Sequence, residues 1–271
     1  MAAITAMCSV EAAMDLGLSG KTALITGGTS GIGLAIAQRL ADEGCRIAIC
    51  GRQRDKLDAA IAKLGNATGF IADVCKPADV TALVEDTVKA FGRIDIVVSN
   101  AGTHISGSLE NVASDVLLRH FQTKVVGPWE LARCVAPHMR RSGGGRFIVI
   151  VGQTGKVPQA NAIPSTVVNA AQHSFVKSLS DELAKDKILV NAVCPSRIKS
   201  PLTDTLKLYN EVYLGRSLEQ QESEWGAEVP LGRWGTPDDI ANAVAFLASE
   251  RAAFICGTNI DVDGGHQRSI L

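Results

Sequence analysis

An α/β chain with a parallel sheet covered by helices on both faces is predicted by three observations. Short β-branched runs alternate with helical patterns from Lys21 onward, and a glycine-rich turn joins the first run to the first helix. The run Ile94 to Ser99 is apolar without alternation, as a strand buried on both faces requires. Neither an interdomain linker nor a repeat of roughly 20 to 50 residues breaks the pattern, so one domain is expected over residues 20–271.

In order, a strand at Ala23 to Thr26 precedes a helix to about Glu43, and a strand at Arg46 to Cys50 precedes a helix through Leu64. Phe70 and Ile71 mark a third strand, a helix ends near Phe91, and Ile94 to Ser99 follows. Two long helices cover Ser114 to Arg141, broken by Gly127 and Pro128; the turn at Gly143 to Gly145 announces a strand from Arg146 to Val151. A helix after Pro164 runs to about Lys185 with Val168, Phe175, Leu179 and Leu183 on its apolar side, and the strand Ile188 to Cys194 follows. Pro195 to Pro230 is too long for a plain connection, so a helical lid is expected over about 201–229. A helix at Asp238 to Ala248 and a strand at Asn259 to Val262 complete the pattern.

With 271 residues, 46% hydrophobic, the chain has material for a sizeable core, and disordered or collagenous classes are excluded. Its 27 basic and 28 acidic residues carry no electrostatic footprint for nucleic acid or an anionic membrane. The 7 cysteines are scattered, without a C-x-x-C pair, which suits free thiols in the cytoplasm and no metal site. Residues 1–19 include Glu11 and Asp15 and lack a basic start; they are expected to be a disordered tail rather than a signal peptide. Only two tyrosines occur, Tyr209 and Tyr213, both in the lid segment.

Directly after the first strand stands Thr26-Gly27-Gly28-Thr29-Ser30-Gly31-Ile32-Gly33. Glycines there let the backbone approach a pyrophosphate, held by free amides at a helix N-terminus. The second strand ends Cys50-Gly51-Arg52, with no carboxylate for a ribose 2′-hydroxyl and a cation beside the position, which favours NADP(H) over NAD(H).

The spacing resembles the T-G-x-x-x-G-I-G form of the short-chain dehydrogenase/reductase family, 3-oxoacyl-carrier-protein reductase branch. Asn100-Ala101-Gly102, Pro195-Ser196-Arg197-Ile198-Lys199-Ser200 (similar to P-G-x-I-x-T), Pro230 to Pro237 and Val262-Asp263-Gly264-Gly265 extend the resemblance over Leu18 to Gly265. It implies a doubly wound, seven-stranded Rossmann sheet and a homo-oligomer, tetramer or dimer. By position it also implies that Gly27, Thr29, Ser30, Gly31, Ile32 and Gly33 surround the phosphates and Arg52 a 2′-phosphate. Asp73 and Val74 would meet the adenine, Asn100 to Gly102 the adjoining ribose, and Ile198 with Ser200 the carboxamide.

The same resemblance implies an Asn, Ser, Tyr, Lys tetrad, and here those positions read Lys124, Gly152, Ser165 and Asn169. A serine hydroxyl titrates far above a phenol, whose reference pKa is about 10, and Asn169 brings no charge to lower it. Ser165 is also shorter by a ring, so the pocket is expected to be larger there unless Gln153 or the lid fills it. The Asn and Lys identities look exchanged, so Lys124 either supplies the site's positive charge or runs to solvent or a subunit interface.

Further candidates are His104, in a loop that borders the site in the family and able to titrate near neutral pH, and Gln153, which donates and accepts without titrating. Ser165 is equally explained as an N-cap. Tyr209, Tyr213 and Trp225 on the lid either meet a moderately apolar small-molecule substrate, one tyrosine acting as a replacement acid, or pack against the domain. Gln172 and His173 read as interface residues. Three functions stand at this point: an atypical NADP(H) oxidoreductase acting on a carbonyl, hydroxyl or conjugated alkene, a non-redox lyase, isomerase or cyclase, and a catalytically silent cofactor-binding subunit.

Overall fold

The computed structural model describes residues 14–107, 109–204, 215 and 217–269. Seven strands form one parallel sheet: β1 Thr22–Thr26, β2 Arg46–Gly51, β3 Ala67–Ile71, β4 Ile96–Ser99, β5 Gly145–Ile150, β6 Ile188–Pro195 and β7 Asn259–Val262, in the spatial order β3-β2-β1-β4-β5-β6-β7. The winding reverses between β1 and β4, and open α/β sheets bind ligands in the crevice at the carboxyl ends of such strands.

Among the described residues the principal helices are α1 Gly31–Asp42, α2 Arg54–Leu64, α3 Pro77–Phe91, α4 Ser114–Phe121, α5 Gly127–Arg141, α6 Ile163–Leu183, α7 Leu218–Ala227 and α8 Pro237–Ala248. On one face Ile36 and Leu40 of α1 and Ile240 and Val244 of α8 pack with Ala23, Ile25 and Ile47. On the other, Leu83, Leu131, Val135, Met139 and Val176 of α3, α5 and α6 pack with Leu24, Val97 and Val149. Neighbouring residues of β1 therefore serve opposite cores, which is why its five residues are all buried.

Three boundaries differ from the sequence reading for identifiable reasons. Ile94 is buried but precedes β4, because Asp95 turns its carboxylate onto the Thr22 amide (2.9 Å) and onto Arg93. Edge strand β3 begins at Ala67 rather than Phe70; its half-covered residues carry a weak apolar signal, and Gly69 is needed where Ile61 and Leu57 of α2 press close. The break expected at Gly127 and Pro128 is a π-helical turn at Gln122–Val126, after which Pro128 sits in the first turn of α5, where a missing N–H costs little.

Leu18, assigned by sequence to the tail, is 2% exposed within the core, and Leu16 accepts from the Glu250 amide. The rest of the tail through residue 13, together with Tyr209 and Tyr213, lies outside the described residues. Gln172 and His173 turn inward rather than to a surface: Gln172 is buried, and His173 Nδ1 lies 2.8 Å from Asn259 Oδ1 of β7. No helix among the described residues is long and apolar enough to cross a membrane.

Candidate active site

The turn after β1 is braced by the turn after β4. Thr26 Oγ1 accepts from the amides of Asn100 and Ala101 at 3.1 Å, while Asn100 Nδ2 donates to the carbonyls of Thr26 and Gly27 at 3.0 and 3.1 Å. A Cβ on Gly33 would lie 2.3 Å from the Gly27 carbonyl oxygen, so only glycine lets α1 start this close to β1. Ser30 precedes α1 without a side-chain cap bond, which leaves the first-turn amides directed at the crevice. Ser200 and Pro201 cross over Gly31, bringing Ile198 and Ser200 above the loop, and a bridge to Gly235 fixes Ile198.

This cradle, a tight glycine turn with uncapped amides, fits a dinucleotide pyrophosphate. Arg52 is exposed beyond β2 and forms no ion pair among the described residues. A Cβ on Gly51 would meet Thr29 Cγ2 at 2.6 Å, so Thr29 itself opposes a side chain there. Asp73 accepts from the Cys75 amide at 3.0 Å, and the Val74 carbonyl fits against Gly127 because that residue has no Cβ.

Lys124 lies in the π-helical turn, its stem against Gly102. It is buried, and Nζ donates to Asn169 Oδ1 at 2.5 Å. Asn169 Nδ2 then donates to Thr154 Oγ1 at 2.8 Å, in the short turn Gln153–Gly155 after β5. Burial lowers the Lys124 pKa from 10.5 to about 8, so the ammonium persists at neutral pH. Gly152 makes room for this arrangement, since a Cβ there would lie 2.6 Å from Asn169 Nδ2.

Backbone of the loop after β4 packs against Ser165. Ser165 Oγ accepts from the Ile105 amide at 2.8 Å and donates to the Ile105 carbonyl at 3.1 Å, and the residue is 1% exposed. The loop after β4 is thereby stapled to α6, and Gly107 adds a bridge to Ala162. Ser165 lies within the first turn of α6, whose N-cap is Ala162, so it is not the cap. His104 contacts Ser106 Oγ at 2.9 Å; burial, Lys124 and Arg197 bring its pKa down to about 4, so it does not titrate near neutrality.

Two members of this cluster escape sequence reasoning. His120 is buried, with Nε2 3.4 Å from Ser165 Oγ, and desolvation, Lys124 and His104 lower its pKa to about 4. Its position one helical turn before Lys124 is the available sequence signal. Thr154 carries no pattern beyond its place next to Gln153. Gln153 Oε1 lies 3.1 Å from His266 Nδ1. Trp225 is largely buried against Trp234, centroids 5.7 Å apart, with the Arg197 guanidinium 4.7 Å from its own ring centroid. Among the described residues no group of His, Cys, Asp and Glu is placed to hold a metal ion.

The family model described as Enoyl-(Acyl carrier protein) reductase matches residues 27–267. A putative ketoacyl reductase of Streptomyces coelicolor is 33% identical over 251 residues, spanning 90% of this chain and 96% of the relative. Dehydrogenase/reductase SDR family member 4 of Homo sapiens is 33% identical over 253 residues, spanning 92% and 88%. In structure, L-sorbose reductase from Gluconobacter frateurii, complexed with NADPH and L-sorbose, superposes with a TM-score of 0.89 at 35% identity, covering 95% of this chain and 100% of that one. The chain belongs to the short-chain dehydrogenase/reductase family.

Proposed function

We propose that this protein is an NADP(H)-dependent oxidoreductase for a small carbonyl or hydroxyl substrate, working without the tyrosine and lysine of its family because all four tetrad positions are substituted. The observation that carries the reading is the buried Lys124 ammonium, held by Asn169 beneath the Asn100-Ala101-Gly102 turn. A cation kept out of water acts strongly on negative charge developing at a substrate oxygen, and it is already oriented before reaction.

Gly27, Thr29 to Gly33, Asn100 to Gly102, Ile198 and Ser200 would hold the dinucleotide, with Asp73 and Val74 toward its adenine end and Arg52 at the 2′-phosphate. When bound, NADPH supplies the hydride. The chain orients the substrate, excludes water by the Ser165 staple on the loop after β4, and places the Lys124 charge. Arg52 together with the steric block at Gly51 supports NADP(H) over NAD(H). The names of the relatives, a ketoacyl reductase and an L-sorbose reductase bound to NADPH, support a carbonyl substrate. The exposed apolar side chains Trp129 of α5, at 59%, and Val167 of α6, at 50%, support a homo-oligomer built through these two helices.

A catalytically silent cofactor-binding subunit is the second reading, favoured by the complete engagement of the Ser165 hydroxyl by Ile105. Single-turnover oxidation of bound NADPH, followed by fluorescence with a panel of ketones, enones and sugars, separates the two. Oxidation matching the enzyme concentration supports the first; NADPH binding without oxidation across the panel supports the second.

A further inference from the structure

The loops beyond β5, β6 and β7 meet at His266. Its Nδ1 lies 2.6 Å from Ser196 Oγ and 3.1 Å from Gln153 Oε1, and its Nε2 lies 3.6 Å from Glu228 Oε2. Gln153 and Glu228 can accept a hydrogen bond from the ring, and the Ser196 hydroxyl can accept from it or donate to it. Asp263 fixes the turn that presents the ring: its carbonyl accepts from the His266 amide, and its carboxylate from the amides of Gly265 and Gln267. Arg197 pairs with Glu228 while stacked on Trp225, which holds the carboxylate at the outer end of the array.

Ser196 stands where the pattern similar to P-G-x-I-x-T has glycine, so a hydroxyl is added to the loop that crosses the glycine turn. The residue is partly exposed, in contrast to Ser165. Gln153, which meets His266, and Thr154, which accepts from the Asn169 that holds Lys124, are consecutive residues of the turn after β5, so the two arrays share that turn.

We propose that Ser196, His266 and Glu228 form a proton relay, with Ser196 as the catalytic acid that takes the place of the missing phenol. The inference rests on the oxidoreductase reading. In reduction the substrate carbonyl carbon gains a hydride, two electrons, from NADPH, which is oxidised, and the carbonyl oxygen gains the Ser196 hydroxyl proton. The O–H bond of Ser196 is remade with the Nδ1 proton of His266. The imidazolium becomes a neutral ring whose remaining proton sits on Nε2 toward Glu228, and water restores the lost one. Burial and Arg197 hold His266 below its ordinary value of 6.5, while Glu228 and Asp263 pull it back up. The acid form is the protonated ring, so reduction is fastest at low pH and declines as pH rises through a midpoint below 6.5.

The test uses the full chain with NADPH and 9,10-phenanthrenequinone as the carbonyl probe. Ser196→Ala is expected to lower kcat by about 10²-fold, with KM and the NADPH Kd unchanged, and Ser196→Thr to restore most of it. His266→Gln is expected to remove the low-pH limb. Full activity in Ser196→Ala, or an unchanged limb in His266→Gln, overturns the relay while leaving the oxidoreductase reading standing. Wild type that binds NADPH but oxidises none overturns both. Histidine nitrogen NMR of the protein without cofactor gives an independent reading, which also serves if Ser196→Ala fails to fold. Glu228→Gln should move the His266 midpoint further down; an unmoved midpoint counts against the relay.

Discussion

Lys124 of the π-helical turn and Asn169 of α6 are joined by a 2.5 Å hydrogen bond in which a buried ammonium donates to a neutral amide oxygen. No carboxylate neutralises the charge at this contact, so it remains available to a developing anion. Lys124→Met keeps most of the volume and removes the cation; the expected result is an approximately 10²-fold lower rate of NADPH oxidation with unchanged NADPH affinity. In the wild type the charge is present below about pH 8 and lost above it. Because the unfolded chain keeps that proton up to the ordinary value of 10.5, wild-type stability relative to Lys124→Met should rise between about pH 8 and 10.5, measured by urea unfolding at each pH. Comparison with the variant removes the opposing contribution of the buried thiols of Cys45, Cys50 and Cys194, which are pushed up to about 12, 11 and 12.

Gly152→Ser places a Cβ 2.6 Å from Asn169 Nδ2. Asn169 must move, and its bonds to Lys124 and Thr154 weaken. The expected cost is about 1 to 3 kcal/mol of stability, read as a lower urea midpoint, together with reduced activity rather than a gain.

Arg52→Ala should weaken NADPH by about 10- to 10²-fold and leave NADH nearly unchanged, measured by fluorescence titration. Gly51→Asp alone is expected to bind NADH poorly because Thr29 Cγ2 obstructs it at 2.6 Å. Combined with Thr29→Ser, which deletes that methyl group, it should improve NADH binding.

Ser165→Ala removes both partners of the Ile105 peptide groups. About 1 to 3 kcal/mol of stability should be lost, with faster hydrogen exchange at the Ile105 amide. The rate of NADPH oxidation should change far less than in Lys124→Met, since the proposed reading gives Ser165, bonded to both Ile105 peptide groups, a positioning role and no proton transfer.

Much of this architecture is legible in the sequence because it rests on local pattern. The β-branched runs of β1 and β6 bury on both faces, and Asn259 to Val262 has the same limits in sequence and structure. For Lys124 the sequence, read through the family resemblance, leaves open a place facing Asn169 or a course to solvent; the hydrogen bond to Asn169 is what the packing adds. What stays hidden depends on contacts between distant loops. The Ile105 staple is made by backbone atoms, which carry no residue signature. His120 is buried at the end of α4, just before the π-helical turn, and Gly127 and Pro128 do not announce that turn. His266 meets Ser196 and Gln153 only after three strand ends converge.

Single-turnover oxidation of bound NADPH by wild type and Lys124→Met, followed with the same carbonyl panel, bears most directly on the role of the buried cation. Wild type should consume NADPH in proportion to enzyme and the variant should do so about 10²-fold more slowly at equal NADPH occupancy. Equal rates in the two proteins, or no oxidation by wild type with cofactor bound, would contradict it.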